Sequence, residues 1–137
     1  MTTKILCATD GSEHSKTAVV YAAGLSSKTQ VPLTVCSVNV AMGGMRAPVV
    51  YLRDSAEIKS ILEDAAKLAL ENGAKKVDKV ELKSREASSA IVQYAEENGY
   101  DHIVTGTGNK HGMSRLILGS VASDIAGRAH CTVTVAR

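Results

Sequence analysis

Five short strand-like runs alternate strictly with four helical patterns along this chain, and that alternation limits its fold more than any other feature. "KILCATD" (4–10) is a continuous apolar run ending at a turn, as a strand buried on both faces reads. Ser12 is a natural N-cap, and Ala18, Val19, Ala22 and Leu25 follow at helical spacing. "PLTVCSVNV" (32–40) is rich in β-branched residues and predicts a second strand. Ile58, Ile61, Leu62, Ala65, Leu68 and Ala69 then predict a long amphipathic helix, stopped by Asn72-Gly73. "VDKVELK" (77–83) alternates apolar with charged residues, which suits an exposed edge strand. A helical stripe of Ala87, Ala90, Ile91, Tyr94 and Ala95 ends at Asn98-Gly99. "HIVT" (102–105) is the fourth strand; Val121, Ala122, Ile125 and Ala126 mark the fourth helix, and "CTVTVA" (131–136) the fifth strand. Residues 41–52, with two glycines and a proline, predict a flexible connection.

Strands that alternate with helices argue for parallel pairing through right-handed crossovers, with helices on both faces. The expectation is one doubly wound α/β domain over residues 1–137, its single five-stranded parallel sheet running 3-2-1-4-5. Ligands of such sheets sit beyond the carboxyl ends of the strands, where the order reverses. Here that point lies between the first and fourth strands, where "ATDGSE" and "GTGNKHGMSRLILGS" (106–120) meet.

The second of these stretches holds Gly106, Gly108, Gly112 and Gly119, four of the eleven glycines in the chain. Backbone N–H groups can crowd round an anion only where side chains are absent. Gly119-Ser120 opens a helix whose free N–H groups and dipole favour negative charge, and Ser120 adds a hydroxyl donor. Lys110, His111 and Arg115 are the cationic candidates in the same loop. The glycine spacing fits neither GxGxxG nor GxxxxGK[ST]. A response-regulator reading needs a cluster of carboxylates at the strand ends, and Asp10 alone qualifies.

Composition excludes several other functions. A net charge of +2, with no basic run longer than two residues, argues against nucleic acid as a partner. With no Phe or Trp and only four Tyr, the chain has no platform on which successive bases could stack. No apolar stretch reaches the roughly 18 residues of a membrane span. Cys7, Cys36 and Cys131 are isolated in apolar surroundings and are expected to be buried fillers. The absence of a leader and this cysteine usage predict a cytosolic protein.

Two motifs together resemble the universal stress protein family. "ILCATDGSEHS" (5–15) matches the family's opening "ILxxTDGSExS", and the family's G-x2-G-x9-G-[ST] signature falls on Gly106, Asn109 and Gly119-Ser120. "LILGSVASDIA" (116–126) is also similar to the family at that place, and the resemblance runs from Lys4 to Arg137. The one departure is Asn109, which stands where the signature has its second glycine. Asn tolerates left-handed backbone angles, so the turn itself is compatible, although its side chain would stand near the phosphates.

Members with the full signature tend to bind ATP and those lacking it tend not to; with Gly106 and Gly119-Ser120 in place and Asn109 able to keep the turn, the resemblance implies an ATP site. Ala8, Thr9 and Asp10 would meet the adenosine, and Val38 would offer its backbone to adenine. Gly106 would approach the ribose, and Asn109, Gly119, Ser120 and Val121 would surround the phosphates. Gly108 and Gly112 would give slack around Asn109, and Arg115 would supply positive charge. Any Mg2+ would arrive with the nucleotide, since no carboxylate cluster stands ready to hold it. The resemblance also implies a homodimer paired through the fifth strand, whose "CTVTVAR" leaves an open edge. Catalysis is not expected beyond weak ATP hydrolysis, with His111 as the one general-base candidate in the glycine loop. Three readings stay open: a nucleotide-dependent signalling module in stress response, a slow ATPase, and a dimeric adaptor with an empty pocket.

Overall fold

A computed structural model describes residues 1–108 and 118–137. β1 (Ile5–Ala8) leads through α1 (Glu13–Thr29) to β2 (Leu33–Met42), and a short β3 (Val50–Tyr51) precedes α2 (Ser55–Glu71). β4 (Val77–Ser84), α3 (Ala87–Glu97), β5 (His102–Gly106), α4 (Ser120–Arg128) and β6 (Thr132–Ala136) complete the chain. The parallel pairs are β4 with β2, β2 with β1, β1 with β5 and β5 with β6, giving the order β4-β2-β1-β5-β6. That is the expected 3-2-1-4-5 arrangement, and it places the reversal between β1 and β5.

The central strand shows why its sequence is apolar throughout. Ile5 and Cys7 point into a cluster with Val19, Ala22, Ile58 and Leu62 of α1 and α2. Leu6 points the other way, toward Ile91 and Ala95 of α3 and Ile125 of α4. Successive side chains of a strand face opposite sides, so a strand covered on both sides must be apolar at every position. Cys7 and Cys36 are fully buried and Cys131 partly so. Burial pushes the Cys36 thiol up to about 12, so it fills space as a neutral group.

The helix signals fall where the sequence places them. Ser12 caps α1 by accepting from the Ser15 N–H, and Gly73 and Gly99 follow α2 and α3 with positive φ angles of 105° and 74°. Among the described residues β4 pairs with β2 alone, and it is exposed along much of its length, as an edge strand should be.

Residues 41–52 correct the sequence reading. They are expected as a flexible connection, but β2 runs on to Met42 and β3 returns antiparallel beside it, Ala41 opposite Tyr51 and Met42 opposite Val50. The sheet therefore has a sixth, two-residue strand. The buried amide of Asn39 locks this hairpin. Its Nδ2 donates to the Arg53 carbonyl at 2.7 Å, and its Oδ1 accepts from the Arg53 N–H at 3.0 Å. Leu52 N–H donates to the Val40 carbonyl at 2.9 Å, continuing the ladder. Among the described residues, no helix is long and apolar enough to cross a membrane.

Candidate functional site

The described residues line a cavity of about 260 Å3 at the carboxyl ends of the strands, just below the roughly 300–1,000 Å3 of typical ligand pockets. The floor comes from Ala8, Thr9 and Asp10 after β1, and from Cys36, Ser37, Val38 and Val40 of β2. The β5 side contributes Thr105, Gly106 and Gly108, and the α4 side Gly119, Ser120, Val121 and Ala122. The structure thus brings together nine of the residues singled out in the sequence: Ala8, Thr9, Asp10, Val38, Gly106, Gly108, Gly119, Ser120 and Val121. Asn109, Gly112 and Arg115 lie outside the described residues, as do Lys110 and His111.

The start of α4 brings free helix N–H groups to the cavity wall. Gly119 is the N-cap and supplies no side-chain hydrogen bond to the helix. The first intrahelical bond runs from Ser123 N–H to the Gly119 carbonyl at 3.0 Å. The N–H groups of Ser120, Val121 and Ala122 therefore have no intrahelical partner, and these three residues line the cavity. Aligned peptide dipoles add positive potential at the same place.

The glycines have a packing reason that the sequence reading missed. A Cβ on Gly106 would overlap the carbonyl oxygen of His14, so the end of β5 rests directly on the first turn of α1. A Cβ on Gly119 would stand 2.8 Å from the Gly108 carbonyl oxygen and 2.9 Å from its Cα. Gly119 N–H also donates to the Thr107 carbonyl at 2.7 Å. Gly108 itself has φ +71°, a left-handed angle that favours glycine. Two backbones pass each other here without side chains, and the helix start is held against the end of β5.

The β1 side is polar and ordered by short-range bonds. Thr9 and Ser15 hydroxyls lie 3.0 Å apart, and Ser15 Oγ donates to the Ser12 carbonyl at 2.9 Å. Asp10 Oδ1 accepts from both the backbone and the hydroxyl of Ser12. Burial alone would raise the Asp10 carboxyl, but these bonds, with smaller contributions from Ser15 and His14, hold it below its ordinary value. Asp10 is therefore a charged acceptor at neutral pH, suited to receive hydroxyl donors such as those of a ribose. The same bonds to Ser12 also make it the turn residue expected beside Gly11.

Wall residues that the sequence reading did not place at the site include His14, Leu52 and Arg53. His14 Nε2 lies 4.0 Å from Asp10 Oδ2, one helical turn along the chain. Arg53 is the one Arg or Lys in the described wall, and its Nη1 lies 3.7 Å from Glu57 Oε2. No group of three or more His, Cys, Asp or Glu suited to a metal ion occurs among the described residues.

The model of the universal stress protein family matches residues 1–137. A universal stress protein of Methanocaldococcus jannaschii is 30% identical over 142 residues, covering 98% of this chain and 81% of the relative. A crystal structure of a universal stress protein in complex with cAMP has a TM-score of 0.77 at 26% identity, covering 99% of this chain and 97% of the other. The structure of the Archaeoglobus fulgidus universal stress protein in complex with dAMP has a TM-score of 0.76 at 26% identity, covering 98% of each. The opening motif, the strand order and a family match along the whole length agree: this chain belongs to the universal stress protein family.

Proposed function

We propose that the cavity binds an adenine nucleotide, ATP in the fullest form of the reading, and that the protein is a nucleotide-dependent module of stress response. The observation that carries this reading is the start of α4, where three residues whose N–H groups have no helical partner line the cavity. A phosphate placed there would accept from them, and the Gly108–Gly119 crossing keeps side chains out of its way. Asp10 would then accept from the ribose hydroxyls, and the apolar end formed by Val38, Val40 and Leu52 would take the base. The relatives solved with cAMP and dAMP support an adenine ligand of this size and charge. Mg2+ would travel with a triphosphate, held by its oxygens.

A homodimer is part of the same proposal. β6 pairs with β5 only, so its second edge carries no strand among the described residues. Alternating Thr132, Val133, Thr134 and Val135 give that edge the pattern of a strand that pairs with another chain. Pairing with its own copy about a two-fold axis would satisfy it.

The test of the nucleotide reading is chemical. Purified protein is denatured and the supernatant chromatographed for adenine nucleotides. With no Trp and four Tyr, the chain absorbs little of its own, so bound adenine lifts the 260 nm signal before denaturation. Adenine compounds released in proportion to protein support the reading. Protein that carries none, and takes up none when incubated with ATP, contradicts it.

A further inference from the structure

The β2–β3 hairpin ends at the cavity wall with an arginine, and a buried side chain holds it there. Arg53 lines the cavity on the β2 side, whereas the first residues of α4 line it on the β5 side. β1 lies between β2 and β5, so the two ends are separated by two strand spacings, about 10 Å. The Arg53 guanidinium is also tied toward α2 through Glu57, at 3.7 Å, away from α4. A phosphate on α4 thus leaves Arg53 at the opposite end of the ligand.

Asn39 makes that placement specific. It is 3% exposed, and both polar atoms of its amide are used on the backbone of Arg53. A buried amide spent wholly on one residue of a neighbouring segment fixes where that residue's side chain starts. Asp54, the next residue, caps α2 by accepting from the Glu57 N–H at 2.8 Å, so the backbone is fixed on both sides of Arg53. The Arg53 side chain is 35% exposed, free enough to settle on a ligand.

We infer that Arg53 covers the nucleobase with its planar guanidinium, and that Asn39 is the positioning residue for it. The inference rests on the nucleotide reading above and adds a contact to the base end of the ligand. Arginine planes stack on nucleobases, and a lysine ammonium does not replace that contact. A stacked side chain senses the base and ignores the phosphate count.

The experiment measures dissociation constants of adenosine, AMP and ATP for the parent, Arg53→Ala, Arg53→Lys, Asn39→Ala and the Arg53→Ala/Asn39→Ala double variant. Arg53→Ala should weaken all three ligands by a similar factor, about tenfold, the scale of one base-stacking contact. Arg53→Lys should lose nearly as much. Asn39→Ala should weaken binding through Arg53, so the double variant should bind about as Arg53→Ala does. Thermal unfolding separates this from general damage, since Asn39→Ala lowers stability whether or not Arg53 is present. Loss confined to AMP and ATP, or Arg53→Lys binding as the parent does, would overturn the stacking role. Independent losses that multiply in the double variant would overturn the positioning role of Asn39. A parent that binds none of the three removes the nucleotide reading and the inference together, whereas a parent that binds with unchanged arginine variants removes the inference alone.

Discussion

Gly108 and Gly119 pass so close that a methyl group on Gly119 would stand 2.8 Å from the Gly108 carbonyl oxygen. The Gly119 backbone is in an ordinary extended conformation, φ −64° and ψ 161°, which any residue adopts. The demand for glycine there is therefore one of space. The same crossing brings the start of α4 to the cavity, so the packing and the proposed anion site would have one cause.

Alanine at 119 should accordingly destabilise the protein without any ligand present. Overpacking of this kind costs ~1–3 kcal/mol, and thermal unfolding of Gly119→Ala should show a lower midpoint. Valine there would be worse, and its effect on binding could not be separated from its effect on the fold. Unchanged midpoints in both variants would mean that the two backbones do not cross as described.

A cleaner probe of the anion site is Ser120→Asp. Ser120 is exposed and sits in the first turn of α4, where a carboxylate favours the helix by about 0.3–1 kcal/mol. The same carboxylate would repel a phosphate from the same N–H groups. The variant should be at least as stable as the parent in urea, yet bind ATP more than about tenfold more weakly. Equal ATP affinity, measured beside equal stability, would move the phosphate elsewhere.

Much of this arrangement is legible in the residues themselves, for physical reasons that can be named. Ile5, Leu6 and Cys7 form a run with no polar break because both faces of β1 are covered, and Asn72-Gly73 and Asn98-Gly99 end helices that need a left-handed residue next. β3 was hidden because two residues carry no periodicity, and its partner Ala41–Met42 runs directly into Gly43-Gly44, which reads as a connection. Only the fold reveals that the amide is spent on Arg53. His14 could have been found from its place in the first turn of α1, two residues past the Ser12 cap that follows the end of β1. Arg53 could have been found from Asp54 and Glu57, a capping pattern that starts a helix on the ligand side of the sheet. The reason for Gly106 was beyond sequence, because its neighbour His14 is 92 positions earlier and is met only through packing.

Acid should weaken the contact between α3 and α4. Glu86 Oε1 accepts from Ser89 Oγ at 2.7 Å, from Arg128 at 2.6 Å and from Ser88 Oγ at 3.0 Å. These bonds, Ser89 first, draw the Glu86 carboxyl from its ordinary 4.5 down to about 2. A lowered folded-state value contributes stability that is full above the unfolded value and is lost as pH falls toward 2. Urea midpoints of the parent and Glu86→Gln should differ at pH 7 and converge between about pH 4.5 and 2. A difference that stays constant over that range would mean that the charge of Glu86 is not what the clasp uses.

The open edge of β6 leads to an expected mass. Light scattering at micromolar concentration should report about twice the 14.4 kDa of one chain. A clean 14.4 kDa species would remove the dimer from the account and leave the cavity untouched.

In the proposed complex, a phosphate on α4 and a base on the β2 side occupy one cavity. Calorimetric titration with Mg-ATP and, separately, with adenosine tests it most directly. One saturable site per chain for both ligands, with ATP bound several-fold more tightly, is the predicted result. Failure of either ligand to saturate, or adenosine binding as tightly as ATP, would contradict it, since the N–H groups of Ser120, Val121 and Ala122 would then hold no phosphate.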